Sequence, residues 1–513
     1  MLEAFLRGLE LVFEWPAIGY LMLGVLLGLW LGAVPGLGGI IGLVLLLPFT
    51  YNMEPVPAFA LLLGMFAVTS TSDTIASVLL GVPGTAASQA TVLDGHPLAQ
   101  QGHAGRALGA AFTVSAFGGV FGAIVLALSL PLILPAIVAF QSPEFFMLSL
   151  LALVMVGSIS GRSIFKGLAV AALGVLLATV GYAQAAAVPR YYLGSNYLLD
   201  GIPLVPIVLG LFALPEIMEL ALRNRSIARV SGDSVEGGDI LDGVKDAFRH
   251  WWLAVRCSVI GTYVGILPGM GAAIVDWVAY SHAVQTAKDR SRFGKGDIRG
   301  VIAPEAANNA TRGGSLLPAV AFGIPGSAGT AILMGALIIQ GLRPGPEMLT
   351  NQLDLTFSMV WSIAIANVAV TLILLALSRQ VAKISFVPGH LIVPGVILFV
   401  LMGAWLETAN MGDWIALIVM GVVGYLMKRA NWPRPPLVLA FILGPIMEDS
   451  FLITLRAYGD VAWMSRPLVI VMFVLIAGSV IYGALARYRR ARKPGSGNDQ
   501  LPDIEAGGGG PLL

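Results

Sequence analysis

The stretch "GLWLGAVPGLGG" at residues 28–39 places five glycines and a proline inside an otherwise apolar run. The stretch "GTYVGILPGMGA" at 261–272 breaks the chain the same way. Gly28, Gly32, Pro35, Gly36 and Gly38 match Gly261, Gly265, Pro268, Gly269 and Gly271, 233 residues apart. A second pair of breaks accompanies the first. "LLGVPGTAAS" at 79–88 resembles "AFGIPGSAGT" at 321–330, with Gly81, Pro83 and Gly84 matching Gly323, Pro325 and Gly326 at an offset of 242. Two offsets this close point to one internal duplication.

The surroundings of these breaks are those of a membrane protein. Of 513 residues 57% are hydrophobic and 12% charged, with a mean hydropathy of +0.85; a water-soluble domain carries about 25% charged residues. Apolar runs that reach bilayer length with their flanks, roughly 20 residues, recur along the chain, among them Ala107–Leu130, Val368–Ala376, Leu391–Trp405 and Leu468–Leu485. The expected fold is therefore an all-α polytopic membrane protein with about 11–12 membrane segments, plus re-entrant elements at the Pro-Gly motifs. A net charge of +1 gives no reason to expect a nucleic-acid partner. Cys257 is the only cysteine, which excludes an internal disulfide and a cysteine-based metal cluster. The five histidines are scattered without metal-ligand spacing. Neither a P-loop, a complete dinucleotide fingerprint, a nucleophile elbow nor an HExxH motif is present, so an enzyme is not expected and no cofactor is called for.

Lys and Arg in short loops tend to stay cytoplasmic. On that rule "RYRRARK" (487–493), "KRANWPR" (428–434), "SRQVAK" (378–383), "GRSIFKG" (161–167) and the hydrophilic stretch Arg223–His250 lie inside. "ETANMGD" (407–413), "AAAVPRYYLGSN" (185–196) and "PAIVAFQSPE" (135–144) lie outside. Corresponding loops fall on opposite sides, which is the pattern of an inverted-topology repeat. The expected organisation is an interfacial amphipathic helix at 1–16, a first transmembrane repeat at 17–222 and a cytoplasmic linker at 223–250. A second repeat follows at 251–465, then a final transmembrane helix at 466–488 and a disordered cytoplasmic tail at 489–513. The N-terminus is expected outside. Parity requires Trp251–Thr286 to enter and return and Ile302–Gly341 to make a net crossing; whether each broken segment is re-entrant or two spans stays open.

Broken backbone at membrane depth leaves amides and carbonyls unpaired, at a cost of several kcal/mol each in hydrocarbon. Half-helix N-termini suit an anion, and half-helix C-termini offer carbonyls to a cation. The expected anion site is built from Pro35, Gly36, Gly38, Gly39, Ser72, Asp73, Pro83, Gly84, Thr85, Ser88, Arg312, Pro325, Gly326, Ser327 and Thr330. The expected cation site uses Gly269, Gly271, Asn308 and Asn309 beside an unwound Gly313-Gly314 segment. "TSTSDTIAS" (69–77) and "PEAANNATRGGS" (304–315) supply oxygens that suit a hard cation. The plainer reading is that the serines cap a helix, that Asn308 and Asn309 bond between helices, and that Gly24, Gly28 and Gly32 permit close packing. Intramembrane charge is costly and by default functional. Arg312 is placed to hold a substrate carboxylate or to neutralise Asp73 or Glu305. Asp276 is either an ion site or an interfacial residue.

At these residues the chain resembles the large membrane subunit of the tripartite tricarboxylate transporters, the TctA family. The resemblance covers about residues 15–487 and is carried by "GAVPGLGG", "GVPGTAASQATVLDGHPLAQQG", "APEAANNATRGGSLLPAVAFGIPGSAGTAIL", "YLLDGIPLVPIVLGLFALPEIME" and "PPLVLAFILGPIMEDS". Two places depart from the family: "TSTSDT" stands where a "YGGS"-like segment is frequent, and Arg312 where a small residue is usual. The resemblance implies a multi-pass permease of the bacterial inner membrane. Its implied partners are a small four-helix membrane subunit and a periplasmic solute-binding protein. It also implies import of tri- or dicarboxylates by cation symport, with Na⁺ as the expected cation. A stand-alone ion-coupled organic-anion exchanger or channel is the competing reading.

Overall fold

The computed structural model describes residues 1–34, 38–138, 140–159, 164–183, 188–222, 238–267, 271–382 and 389–478. Pro35, Gly36, Pro268 and Gly269, the tips of the first pair of breaks, lie outside the described residues. So do 223–237 of the hydrophilic divider and everything after Gly478.

The described chain is almost wholly helical. The first half runs α1 (Leu2–Phe13), α2 (Ala17–Ala33), α3 (Gly38–Leu46), α4 (Pro55–Leu80), α5 (Gln89–Gln100), α6 (Ala104–Val138), α7 (Ser142–Ile159) and α8 (Ile164–Ala178). A two-stranded antiparallel hairpin, β1 (Gly181–Ala183) with β2 (Val188–Arg190), follows. Next come α9 (Leu204–Val208), a π-helical turn over Leu209–Ala213, and α10 (Leu214–Leu222). The second half runs α11 (Gly238–Arg249), α12 (Trp251–Ile266), α13 (Gly271–Thr286), α14 (Arg299–Phe322), α15 (Ala328–Ile339), α16 (Pro346–Thr350), α17 (Leu353–Ala382), α18 (Gly389–Thr408), α19 (Met411–Arg429) and α20 (Pro435–Tyr458).

By length and hydropathy, five described helices can each cross a bilayer, namely α4, the greater parts of α6 and α17, α19 and α20. A sixth span results if α1 and α2, bent by 71°, count as one. Other apolar segments, such as Trp251–Ile266 and Ala328–Ile339, are helices of 10–17 residues, as breaks at glycine and proline require. Large apolar side chains on α6, α17 and α19, including Leu128, Leu132, Leu372, Ile415, Ile418 and Val422, are exposed. Exposed apolar surface on that scale fits a lipid-facing perimeter. The protein is an all-α polytopic membrane protein.

The two halves repeat one packing plan. A Cβ added at Gly28 would lie 2.5 Å from the Met65 carbonyl, and one at Gly261 2.2 Å from the Ala307 carbonyl. A Cβ at Gly32 would lie 3.0 Å from the Thr69 carbonyl, and one at Gly265 2.7 Å from that of Thr311. The same glycine-on-backbone contact therefore joins α2 to α4 and α12 to α14, shifted by 233 residues on one helix and 242 on the other. Small residues let backbones approach to this distance, where van der Waals contact replaces the hydrophobic drive that lipid lacks. Cross-packing matches too: α1 lies on α17 as α11 lies on α6, and α3 meets α15 as α13 meets α5.

The hydrophilic divider is more than a linker. Its second part, α11, buries Ile240 and Ala247 and docks on α6, where Gly109 and Gly243 admit the facing backbone. Arg106 pairs with Asp246 across that contact.

Candidate transport site

Each VPG or IPG break is built from the same parts. α4 ends at Gly81 and α14 at Gly323, both left-handed, with φ of 66° and 68°. Glycine takes that conformation without the Cβ penalty. A reciprocal capping box then starts the next helical segment. Ser88 Oγ accepts from the Thr85 amide at 3.1 Å while Thr85 Oγ1 accepts from the Ala87 amide at 3.2 Å. In the second half Thr330 Oγ1 accepts from the Ser327 amide at 2.8 Å and Ser327 Oγ from the Thr330 amide at 3.2 Å. The hydroxyls expected at the breaks thus serve the free amides of helix starts. Gly84 and Gly326 are buried, each turned against the helix before its break. A Cβ at Gly84 would sit 2.6 Å from the Asp73 carbonyl and one at Gly326 2.9 Å from Ser315 Cα. Pro83 is exposed whereas Pro325 is buried.

The first-half breaks meet each other. The Cβ position of Gly38 lies 3.2 Å from Thr85, and that of Gly39 2.4 Å from Thr69 Oγ1. Gly271 opens α13.

Between the breaks, α4 and α14 cross in a polar junction, with residues 69–74 of α4 at zero exposure. The Ser70 carbonyl accepts from Asn308 Nδ2 and Asn309 Nδ2, each at 3.3 Å. Thr71 donates to Asn309 Oδ1 at 3.0 Å, and Thr74 to Glu305 Oε2 at 2.6 Å. Arg312 donates from Nε to Ser70 Oγ and lays its guanidinium on the Phe66 ring at 4.1 Å. Contacts descend α14 as they climb α4, so the two equivalent helices run antiparallel at the junction. Two of its oxygens, Asp73 Oδ1 and Asn308 Oδ1, have no partner among the described residues. The other Asp73 oxygen accepts from Thr85. A buried unpaired oxygen costs roughly 1–3 kcal/mol, so each is a place for a ligand or water.

Several expectations change. Gly313 and Gly314 are not unwound; they lie inside continuous α14. Their Cβ positions fall 2.3 Å from the Gly122 carbonyl of α6 and 2.3 Å from the Thr262 carbonyl of α12. They are packing glycines inside the helix; Gly314 lies four residues before Pro318, which has no N–H to offer the Gly314 carbonyl. Ser72 points away from the junction and donates to the Gly28 carbonyl at 3.0 Å, tying α4 to α2. Ser70, Thr71 and Ser72 sit in mid-helix and cap nothing. Arg312 makes no ion pair with Asp73 or Glu305 among the described residues; a hydroxyl and a ring receive it instead. Asp276 takes a structural position. It is fully buried and caps α5, accepting from the Ala90 amide at 2.9 Å. Among the described residues no cluster of His, Cys, Asp and Glu could hold a metal ion.

The sequence reading missed Phe66, Thr91 and Ser115. The signal for Phe66 was arithmetic, since 242 residues separate it from Asn308. Thr91 and Ser115, which donate to Glu305, carried no local signal.

The model of the tripartite tricarboxylate transporter TctA family matches residues 18–439. An uncharacterized 52.8 kDa protein in the TAR-I ttuC′ 3′ region of Agrobacterium vitis is 31% identical over 432 residues, covering 84% of this chain and 86% of its own. An uncharacterized protein in the TAR-II ttuC′ 3′ region of the same organism is 34% identical over 189 residues, 37% of this chain and 78% of its own. No solved structure matches. The duplicated breaks, the buried polar crossing and the extent of the match together place this chain in the tripartite tricarboxylate transporter TctA family.

Proposed function

We propose that this chain is the large permease subunit of a binding-protein-dependent secondary transporter that imports a di- or tricarboxylate with Na⁺. The observation that carries this reading is the fully buried junction of α4 with α14, two equivalent helices crossing antiparallel and each ending in the same capped break. Antiparallel equivalents are what an inverted repeat requires, and the sites of such transporters lie at the repeat interface.

The roles follow from the chemistry. Arg312 offers a guanidinium fork to a carboxylate. The helix starts at Thr85 and Ser327 add amide and hydroxyl donors, with Ser88 and Thr330 completing their boxes. Asp73 Oδ1 and Asn308 Oδ1, left unpartnered, are oxygen ligands of the kind Na⁺ takes. Driving a multiply charged anion inward against a negative interior costs about 2.3 kcal/mol per charge per 100 mV. Co-transported cations at least equal to the anion's charge supply that work. The partners under this reading are a small four-helix membrane subunit and a periplasmic binding protein, in the bacterial inner membrane with the C-terminus inside.

The test is uptake of labelled citrate and of a panel of dicarboxylates into proteoliposomes holding this chain and its small subunit. Uptake should require added binding protein and an inward Na⁺ gradient and should stop when choline replaces Na⁺. Uptake by this chain alone, without binding protein, would instead establish the stand-alone exchanger.

A further inference from the structure

Glu305 stands at the edge of the junction, fully buried. Three hydroxyls from three helices hold its carboxyl: Thr74 of α4 donates to Oε2 at 2.6 Å, Ser115 of α6 to Oε2 at 3.3 Å, and Thr91 of α5 to Oε1 at 2.6 Å. Among the described residues it makes no ion pair. Thr74 precedes the VPG break and Thr91 follows it, so one carboxyl fastens both sides of the break.

The duplication supplies an internal control. At the offset of 242, Glu305, Thr74 and Thr91 correspond to Leu63, Leu316 and Leu333. All three leucines are buried, at 1%, 2% and 1% exposure. The same positions of the same packing plan are therefore filled by hydrocarbon in one half and by an acid with two hydroxyls in the other. The fold does not need the acid.

We propose that Glu305 is a proton-binding site of the transport cycle, charged in one stage and neutral in another. Resting on the carboxylate-import reading, this adds a proton to the ions the junction handles. A solvent proton forms an O–H bond on the carboxylate, and the site passes from −1 to neutral with no other bond changed. A hydroxyl shell suits both forms, because Ser and Thr donate to a carboxylate and also accept from a carboxylic acid. A cationic partner would have fixed the charged form.

Charge makes the protonation useful. Asp73, Glu305 and Arg312 give the junction a formal charge of −1, and an entering polyanion would add to it. In low dielectric, like charges repel strongly. With a proton on Glu305, Asp73 and Arg312 balance and the anion enters a neutral site. Several other titratable groups on the surrounding helices are committed. Asp94 of α5 accepts from the amides of Gly296 and Asp297, and His96 contacts the Val78 carbonyl. Asp276 of α13 caps α5. Arg106 of α6 pairs with Asp246. Arg299 of α14 pairs with Asp297, whereas Arg256 Nε of α12 and His282 Nε2 of α13 are buried without a hydrogen-bond partner among the described residues. Asp73 and Asp276 are the other acids in electrostatic reach.

The test is a pH-difference infrared spectrum of the purified full-length chain, read at the carbonyl band of a protonated carboxyl. Wild type should show a Glu305 band component that disappears on alkalinisation, beside those of the buried acids Asp73 and Asp276 and of half-buried Glu407. E305Q should lose it and D73N should keep it. Because E305Q is able to perturb the hydroxyl shell, the variant E305L/T74L/T91L copies the leucines of the other half. It should fold and also lack the band. Absence of that titrating component in wild type, or its survival in E305Q or in the triple variant, overturns the proposal. Citrate and dicarboxylate uptake is measured in parallel. Lost uptake of every carboxylate by wild type with the band intact would sink the import reading while leaving the proton site standing.

Discussion

Arg312 donates to the hydroxyl of Ser70, the residue 242 positions before it and its own counterpart in the duplication. Contact between counterparts is what a two-fold axis between the halves would produce. The neighbouring contacts come as mates: Arg312 on Phe66, and Asn308, counterpart of Phe66, on Ser70. The contacts there come in pairs but their chemistry differs, since the counterpart of serine is arginine and the counterpart of the ring is an amide. A transported ligand at this place meets one cationic and one neutral side.

Under the carboxylate-import proposal, that asymmetry makes Arg312 the residue on which anion recognition turns. Arg312→Gln keeps a donor for Ser70 and removes the charge. A hydrogen bond to a charged group contributes about 1.5–3 kcal/mol, so the variant should raise KM for carboxylate uptake by roughly tenfold to a hundredfold. Arg312→Lys should fall between, because an ammonium keeps the charge but loses the planar fork. Initial uptake rates across substrate concentrations decide it; an unchanged KM in Arg312→Gln removes Arg312 from the site.

Asp276 should behave as structure and not as an ion site. It accepts from the Ala90 and Trp277 amides at 2.9 and 2.8 Å. Losing a helix cap costs roughly 0.5–2 kcal/mol. Asp276→Ala should lower the thermal midpoint in detergent by a few degrees and leave the Na⁺ concentration for half-maximal uptake unchanged. A shifted Na⁺ requirement with an unchanged midpoint would reverse the assignment.

Much of this architecture was legible in the residues. Hydropathy and charge gave the membrane class and the Pro-Gly motifs gave the breaks, while the hydroxyls after them, read as anion-site donors, form the caps of the next helical segments. What escaped depends on partners far away in the chain. Gly313-Gly314 looked like an unwinding point because glycine is a poor helix former, yet α6 and α12 pack directly on those two residues and the helix continues. Arg312 looked like half of an ion pair; its true neighbours, Phe66 and Ser70, are set by the crossing of two helices. The Glu305 shell draws on three helices, so no short window contains it. In the divider, α11 hid among charged residues because only a narrow face, Ile240 and Ala247 with Gly243, meets α6.

The glycines after each break should be intolerant of even one added methyl. A Cβ at Gly84 would press on the backbone of Asp73, and one at Gly326 would come within 2.5 Å of the Gly265 carbonyl. Overpacking of this kind costs about 1–3 kcal/mol, and here it pushes a capped tip off its helix. Gly84→Ala and Gly326→Ala should insert at normal levels but lose most uptake, with lowered thermal midpoints. Gly341, exposed at the end of α15 with open space around it, provides the control: Gly341→Asn should transport like wild type. Equal activity in all three would show that the tips are not tightly seated.

Asn308 and Asn309, adjacent in sequence, should separate in function. Asn309 is fully engaged: its Oδ1 accepts from Thr71, and its Nδ2 donates to the carbonyls of Ser70 and Glu305. Among the described residues Asn308 uses only its Nδ2, and its Oδ1 has no partner, at zero exposure. An oxygen already accepting a hydrogen bond is a poorer cation ligand than one left free. Asn308→Ala should therefore raise the Na⁺ concentration for half-maximal uptake by about tenfold, the effect of losing about 1.4 kcal/mol, while inserting normally. Asn309→Ala should lower the thermal midpoint and the amount of folded protein, with the Na⁺ requirement of the surviving fraction little changed. Asp73→Asn, which keeps an oxygen but removes the charge beside Asn308, should also weaken Na⁺ dependence. Uptake against Na⁺ concentration, with the detergent midpoint of each variant, separates the two asparagines. If Asn309→Ala alone shifts the Na⁺ curve, the free oxygen of Asn308 is not a cation ligand and the site lies nearer Thr71.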